Sequence, residues 1–84
     1  MELLWSRAAI KDLRRMPRPV ADTFRAALQE IAADPFGKHP NVTALLGFKD
    51  GFRLRRGDWR AVYRLDRDQK ALIVERVRPR GDVY

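Results

Sequence analysis

Residues 52–63 have the sequence FRLRRGDWRAVY, in which apolar and basic side chains alternate on both sides of a central Gly-Asp pair. Alternation with a period of two predicts β-strands, and a two-residue loop that contains glycine predicts a β-hairpin between them. Gly57 precedes Asp58, and this order favours a type II′ turn. The resulting register places Arg55 directly opposite Arg60.

The predicted hairpin has one apolar face and one basic face, because partners in an antiparallel pair share a face. The side chains expected to point towards the helices are Phe52, Leu54, Ala61, Tyr63 and Leu65. The other face carries Arg53, Arg55, Arg60, Val62 and Arg64. Like charges directly opposite one another are destabilising, so this concentration of arginine indicates a site for a polyanion. Protection of the sheet against aggregation is the structural alternative, and an Arg64–Asp66 pair would fit it.

The region before the hairpin predicts one strand and two helices. Residues 1–5 favour a short strand, and Ser6 is a suitable N-cap for a helix that ends before Pro17. A second helix begins near Pro19 and stops before Pro35. The apolar stripe of this second helix comprises Val20, Phe24, Ala27, Leu28 and Ile31. The two helices thus form an αα-hairpin.

Smaller features complete the predicted fold. In the first helix we expect Ile10 and Leu13 to face the core and the polar residues, Asp12 among them, to face solvent. The apolar residues 44–46 are expected to pack against the sheet from a loop, and residues 71–77 to form a last strand. The architecture is therefore α+β: an N-terminal strand, the αα-hairpin, and a three-stranded antiparallel meander (β-α-α-β-β-β), with both helices on one face and the other face open.

Composition limits the possible functions. The 84 residues are enough for a single domain, 1–84, and carry 18 Lys and Arg against 11 Asp and Glu, a formal net charge of +7. Lysine occurs only at Lys11, Lys38, Lys49 and Lys70. There is no cysteine, and no His, Asp and Glu cluster has ligand spacing, so neither a metal site nor a cofactor is expected. Because no signal peptide or membrane segment is apparent, we expect a cytoplasmic protein that does not bind membranes.

The hairpin also resembles a known family. Its aromatic residue, alternating basic residues, Gly-Asp pair, aromatic-Arg pair and final Tyr63 are similar to the hallmark of the RelE/ParE toxin superfamily. The segment 77–84 resembles the closing segment of that family, with Arg80 and Tyr84 at matching positions. Trp5-Ser6, Ala9, Asp12, Leu13 and the later Leu45-Leu46-Gly47 match it more weakly. The resemblance spans nearly the whole chain and implies a RelE-like fold.

The resemblance implies a function and a set of site residues. RelE-type toxins cleave mRNA in the ribosomal A site, and their cognate antitoxin is acidic. On this basis the expected partners are such an antitoxin, mRNA and the ribosome with its rRNA. The implied catalytic residues are Arg60, Arg80 and Tyr84, and the implied RNA-binding residues are Arg53, Arg55, Arg56 and Arg78. Arg53 and Arg55 occupy positions that are often lysine in the family, so this chain lacks a lysine that could accept a proton there.

Cleavage of RNA by its own 2′-hydroxyl needs a base, an acid and positive charge near the phosphate. His39, the single histidine, lies in a loop and is expected to be an ordinary surface residue. The resemblance instead implies that Arg60 and Arg80 stabilise the transition state and that Tyr84 acts as the base, with its pKa lowered by nearby guanidinium groups. Two alternatives stay open. One is a ParE-like inhibitor of DNA gyrase without nuclease activity, and the other is a simple RNA-binding module.

Overall fold

The computed structural model describes residues 1–79, which form two helices and a five-stranded sheet. The elements are β1 (Glu2–Trp5), α1 (Arg7–Arg15), α2 (Arg18–Ala33), β2 (Val42–Ala44), β3 (Gly51–Arg56), β4 (Trp59–Asp66) and β5 (Ala71–Pro79). The strand order is β1-β5-β4-β3-β2, with β1 parallel to β5 and the other neighbours antiparallel. The predicted α+β order and the meander of β3, β4 and β5 are confirmed.

Local sequence signals set the ends of the helices. The Ser6 hydroxyl accepts a hydrogen bond from the Ala9 amide and caps α1. Met16 adopts an extended conformation that ends α1, because the residue before a proline is driven out of the helical region. Asp34, which precedes Pro35, ends α2 in the same way. Within residues 1–79, neither helix combines the length and the apolar character needed to cross a lipid bilayer.

The core lies between the helices and one face of the sheet. The helices contribute Ala9, Leu13, Ala21, Phe24, Ala27, Leu28, Ile31 and Ala32, and the sheet contributes Leu54, Ala61, Tyr63, Leu65, Leu72, Val74 and Val77. The Tyr63 ring stacks on that of Phe52, with 5.4 Å between their centroids. The predicted apolar face of the hairpin is confirmed, and burying this face fixes the strand register.

The hairpin between β3 and β4 has the predicted register. Arg56 pairs with Trp59 and Arg55 with Arg60. Gly57 has a φ of 58°, whereas Asp58 does not adopt a positive φ. Positive φ at the first turn residue alone fits a type II′ turn and excludes type I′.

Three local predictions were wrong. Asp12 is buried rather than exposed to solvent, and Ile10 is 40% exposed rather than part of the core. Residues 44–46 do not pack as a unit on the sheet, because Leu46 is 98% exposed. Val42–Ala44 instead forms β2, an edge strand that pairs with β3. A short edge strand has one neighbouring strand and shows too little alternation of apolar and polar residues, so β2 could not be predicted from the sequence pattern.

A β-bulge in β5 determines where its arginines point. Val62 pairs with Arg76 and Tyr63 with Val74, so Glu75 is an extra residue in β5. Val74 and Val77 lie three positions apart, and in a regular strand they would face opposite sides. With the bulge both are buried in the core, at 0% and 1% exposure. Arg76 and Arg78, on either side of Val77, therefore lie on the open face of the sheet.

Candidate nucleic-acid interface

Three arginines form a row across three adjacent strands on the open face. Arg60 in β4 has Arg55 of β3 on one side and Arg78 of β5 on the other, as direct cross-strand partners. Opposed residues in antiparallel strands have Cα atoms only about 4.5–5.5 Å apart. We call Arg55, Arg60 and Arg78 the arginine row. Within residues 1–79 no carboxylate lies within salt-bridge distance of any of its three guanidinium groups.

The turn of the hairpin orients two members of the row. The Gly57 carbonyl oxygen accepts a hydrogen bond from Arg60 Nη1 at 3.2 Å and a long one from Arg55 Nε at 3.5 Å. Arg60 Nη1 also donates to the Trp59 carbonyl at 3.3 Å. The two guanidinium groups are thus held at one backbone oxygen while most of their N–H groups stay available. Such paired forks are suited to the oxygens of a phosphate group.

The other end of the open face is electrically balanced. Arg64 Nε donates to Glu75 Oε1 at 2.8 Å, and Arg64 Nη1 lies 3.7 Å from Asp66 Oδ2. Arg76 pairs with the buried carboxylate of Asp12, with 2.9 Å between Nε and Oδ2. The predicted Arg64–Asp66 pair is therefore present. Within residues 1–79, the members of the arginine row, which form no salt bridge with a carboxylate, lie at the hairpin end of this face.

The remaining predicted site residues lie in different places. Arg53 is half-buried on the open face, two residues before Arg55 in β3 and opposite Val62. Arg56 is opposite Trp59 and lines a depression with Val20 of α2, so it lies on the helix side and is not brought together with the others. Arg80 and Tyr84 lie outside the described residues.

A cavity of about 480 Å³ adjoins the balanced end of the open face. Its floor includes Val62, which is 5% exposed despite facing away from the helices. Arg64, Glu75 and Arg76 line it from the sheet, and Leu45 and Phe48 line it from the loop before β3. These loop residues explain why Val62, an apolar residue on the basic face, is shielded from water.

Among the described residues, the arginine row itself provides no group for proton transfer. Arginine stays protonated in proteins, so the row can stabilise negative charge but cannot act as a base. Burial raises the pKa of Tyr63 to about 12, and its place in the core makes it a structural residue. His39 Nε2 lies 2.6 Å from the Asp34 carbonyl oxygen at the end of α2, away from the sheet's open face. Within residues 1–79 no group of three or more His, Cys, Asp and Glu residues could hold a metal ion.

Two acidic residues near the site were missed from the sequence. Glu75 faces the open side because of the bulge, and Asp12 reaches β5 from α1. A β-bulge has no simple sequence signature, so the position of Glu75 could not be derived from alternation. For Asp12, the available signal was its place in the sequence between the apolar residues Ala9 and Leu13. Both of these residues are buried, and Asp12 is buried with them.

Comparison with known proteins identifies the family of this chain and solved structures with the same fold. The model of the ParE toxin of type II toxin–antitoxin systems (parDE) matches residues 3–84. No curated protein matches the chain significantly. Among solved structures, the isolated E. coli RelE toxin superposes with a TM-score of 0.82 and 21% identity, over 94% of this chain and 83% of RelE.

Two further solved structures show the same fold. The archaeal RelE–RelB complex from Pyrococcus horikoshii has a TM-score of 0.80 and 22% identity, with 98% of this chain and 97% of that chain covered. The YoeB/ParE toxin from Agrobacterium tumefaciens has a TM-score of 0.78 and 20% identity, with 94% and 98% covered. Identities this low establish the fold alone. The family match over nearly the whole chain goes further, and the chain belongs to the ParE toxin family of type II toxin–antitoxin systems, within the RelE/ParE superfamily.

Proposed function

We propose that this toxin is a ribosome-dependent endoribonuclease, an mRNA interferase that cleaves mRNA in the ribosomal A site and stops translation. The observation that carries the proposal is the arginine row. Three cross-strand neighbours of like charge repel one another, and a bound phosphate backbone would relieve that repulsion. A protein that required only solubility would mix charges of both signs there, as the other end of the same face does.

The proposed chemistry is electrostatic. Arg60, with Arg80, stabilises the negative charge that develops on the phosphate during attack by the 2′-hydroxyl. Tyr84 accepts the proton of that hydroxyl, a role that requires guanidinium groups to lower its pKa from the reference value of ~10. The 2′-oxygen bonds to phosphorus, the bond to the 5′-oxygen breaks to leave a 2′,3′-cyclic phosphate, and the departing 5′-oxygen takes a proton from water. Arg53, Arg55 and Arg78 hold the RNA backbone, and Arg56 contributes positive charge from the edge of the hairpin. The ribosome supplies the positioning of the substrate, and no metal or cofactor takes part.

The proposed partners follow from the same charges. A cognate acidic antitoxin neutralises the open face, and the RelBE complex from E. coli is a solved relative that contains an antitoxin. The active toxin binds mRNA and ribosomal RNA in the cytoplasm. The net charge of +7 favours association with the acidic antitoxin and with RNA.

The second candidate is inhibition of DNA gyrase without nuclease activity. It is favoured by the family match itself, since the matching model is that of the ParE toxin. In this case the arginine row would bind acidic protein or DNA surfaces, and Tyr84 would have no chemical role.

A pair of assays on the purified protein separates the candidates. We expect cleavage of mRNA on programmed ribosomes and no effect on supercoiling by gyrase. Arg60→Ala should lower the cleavage rate on the order of a hundredfold, the usual effect of removing one transition-state donor. Arg60→Lys should also be impaired, because lysine lacks the two-pronged phosphate contact.

The matched control is Arg25→Ala, which removes the same charge from the exposed side of α2 and should leave cleavage unchanged. Inhibition of supercoiling without mRNA cleavage would establish the gyrase candidate instead. Equal cleavage by Arg60→Ala and wild type would exclude Arg60 from the site.

Tyr84→Phe tests the proposed base. The substitution removes one hydroxyl and keeps the ring, so folding and antitoxin binding should survive. General base catalysis contributes roughly 100- to 10,000-fold, and single-turnover cleavage should fall within that range while ribosome binding is unchanged. Full activity in Tyr84→Phe would show that the proton goes to ribosomal RNA or water.

A further inference from the structure

Strand β5 loses its outer neighbour halfway along its length. Pairing with β1 ends at Trp5 opposite Val74. Ser6 extends the contact by two hydrogen bonds, from its amide to the Val74 carbonyl at 2.9 Å and from its hydroxyl to the Glu75 carbonyl at 2.7 Å. The chain then turns into α1, so the part of β5 that carries Arg78 has a partner strand on the β4 side only.

Asp12 of α1 takes the place of the missing strand. Its Oδ2 accepts a hydrogen bond from the Val77 amide at 2.9 Å and another from Arg76 Nε at 2.9 Å. Its Oδ1 accepts from Arg76 Nη2 at 3.3 Å. Asp12 is 6% exposed and is the one charged residue in the buried class within residues 1–79. Removing a carboxylate from water costs free energy, so a buried carboxylate needs several hydrogen-bond donors around it.

The charge of this carboxylate is maintained by its surroundings. Burial alone would raise the pKa of Asp12, but the hydrogen bonds from Arg76 and Val77 and the positive charges of Arg76 and Arg78 together lower it. Asp12 therefore stays ionised at neutral pH and attracts the same segment of β5 that completes the arginine row.

We propose that Asp12 is a positioning residue for the arginine row: by binding the Val77 amide and the Arg76 side chain, it holds the strand after the bulge so that Arg78 stays opposite Arg60. The inference rests on the proposed ribonuclease function. Asp12 itself belongs to α1, and within residues 1–79 it forms a hydrogen bond or salt bridge with Arg76 and Val77 but with no member of the arginine row. The positive charge of Arg78 is kept when it is displaced, so we expect the affinity for the ribosome to be unchanged. A displaced Arg78 would hold the RNA backbone out of line with Arg60, and misplacement by about 1 Å can cost on the order of a hundredfold in rate.

Asp12→Asn is the direct test. The substitution keeps the size of the side chain but presents an amide to a guanidinium that needs acceptors. We expect the single-turnover rate of mRNA cleavage on programmed ribosomes to fall on the order of a hundredfold, with unchanged affinity for the ribosome. The matched control is Asp50→Asn, since Asp50 also binds an arginine through both oxygens, at 2.9 and 3.0 Å from Arg67, but in turns away from the row. It should cleave at the wild-type rate.

A second variant covers the case in which Asp12→Asn does not fold. Arg76→Gln loosens the same contact from a side chain that is 39% exposed, and it should lower the rate by a smaller factor, on the order of tenfold, with ribosome affinity again unchanged. A folded Asp12→Asn, or failing that Arg76→Gln, that cleaves like wild type overturns the proposal, as does a parallel loss of ribosome binding. Absence of cleavage by the wild type would instead refute the proposed function.

Discussion

The two faces of the β3–β4 hairpin have opposite designs, although they are built from alternate residues of the same twelve-residue stretch. On the helix face, Leu54 and Tyr63 are almost completely buried and belong to one continuous core. On the open face, Arg55 and Arg60 lie opposite each other beside a third arginine. The first arrangement stabilises the fold, and the second one opposes it. The contrast shows that stability and function can be separated here residue by residue.

Leu54→Ala should produce the largest effect on the fold. Leu54 is 1% exposed, and removing a buried leucine side chain typically costs about 2–5 kcal/mol, a large part of the stability of a small domain. Urea denaturation followed by circular dichroism would measure the free energy of unfolding. A change below about 1 kcal/mol would mean that the helix face is not the main source of stability.

Arg55→Ala, at the next position in the chain, should affect binding rather than folding. Its side chain is exposed, so the free energy of unfolding should change by less than about 0.5 kcal/mol. Loss of one phosphate contact should reduce the slope of log K against log salt by about 0.7 for a single-stranded RNA oligonucleotide. Fluorescence anisotropy at several salt concentrations would measure this slope. The same slope in wild type and Arg55→Ala would remove Arg55 from the RNA-binding set.

Acid should weaken both of the ion pairs at the borders of these faces. A carboxylate whose pKa is lowered by folding stabilises the protein above its ordinary pKa, and this contribution is lost as the pH falls through the lowered value. For Asp12, burial raises the pKa but is outweighed by the hydrogen bonds from Arg76 and Val77, and for Asp50 the hydrogen bonds from Arg67 lower the pKa. Below about pH 4, Asp12→Asn and Asp50→Asn should therefore each flatten the dependence of the unfolding free energy on pH. A variant with the same pH dependence as the wild type would contradict the lowered pKa of the carboxylate that it replaces.

Much of the fold was predictable because its signals are local. Ser6 and Pro17 delimit α1, Pro35 ends α2, and the alternation around Gly57 fixes the hairpin register. The parallel pairing of β1 with β5 was not predicted, because the sequence of neither strand contains a periodic pattern that identifies its distant partner. The strand β2 was missed since three residues are too few to establish alternation.

The candidate site was predictable only along the hairpin. The positions of Arg55 and Arg60 on the open face follow from the hairpin register alone. The face on which Arg78 lies depends on the bulge, which the alternation of residues in β5 does not predict. Arg56 pairs with Trp59, which turns it to the helix side and separates it from the arginine row, and its role in RNA binding stays a prediction. The roles of Arg80 and Tyr84 stay predictions.

Because of the extra residue in β5, an in-frame deletion of one codon should be tolerated better at the bulge than in the regular part of a central strand. Removing one codon from the middle of β4 would exchange every following side chain between the faces, turning arginine inwards and leucine outwards. Removing the codon for Glu75 would instead convert the bulge into regular strand and leave Val74, Val77 and Arg78 on their present sides. The losses would be the Glu75 partner of Arg64 and the carbonyl that accepts a hydrogen bond from the Ser6 hydroxyl. Length variation among descendants of this sequence should therefore accumulate at the bulge before it appears anywhere else in the central strands.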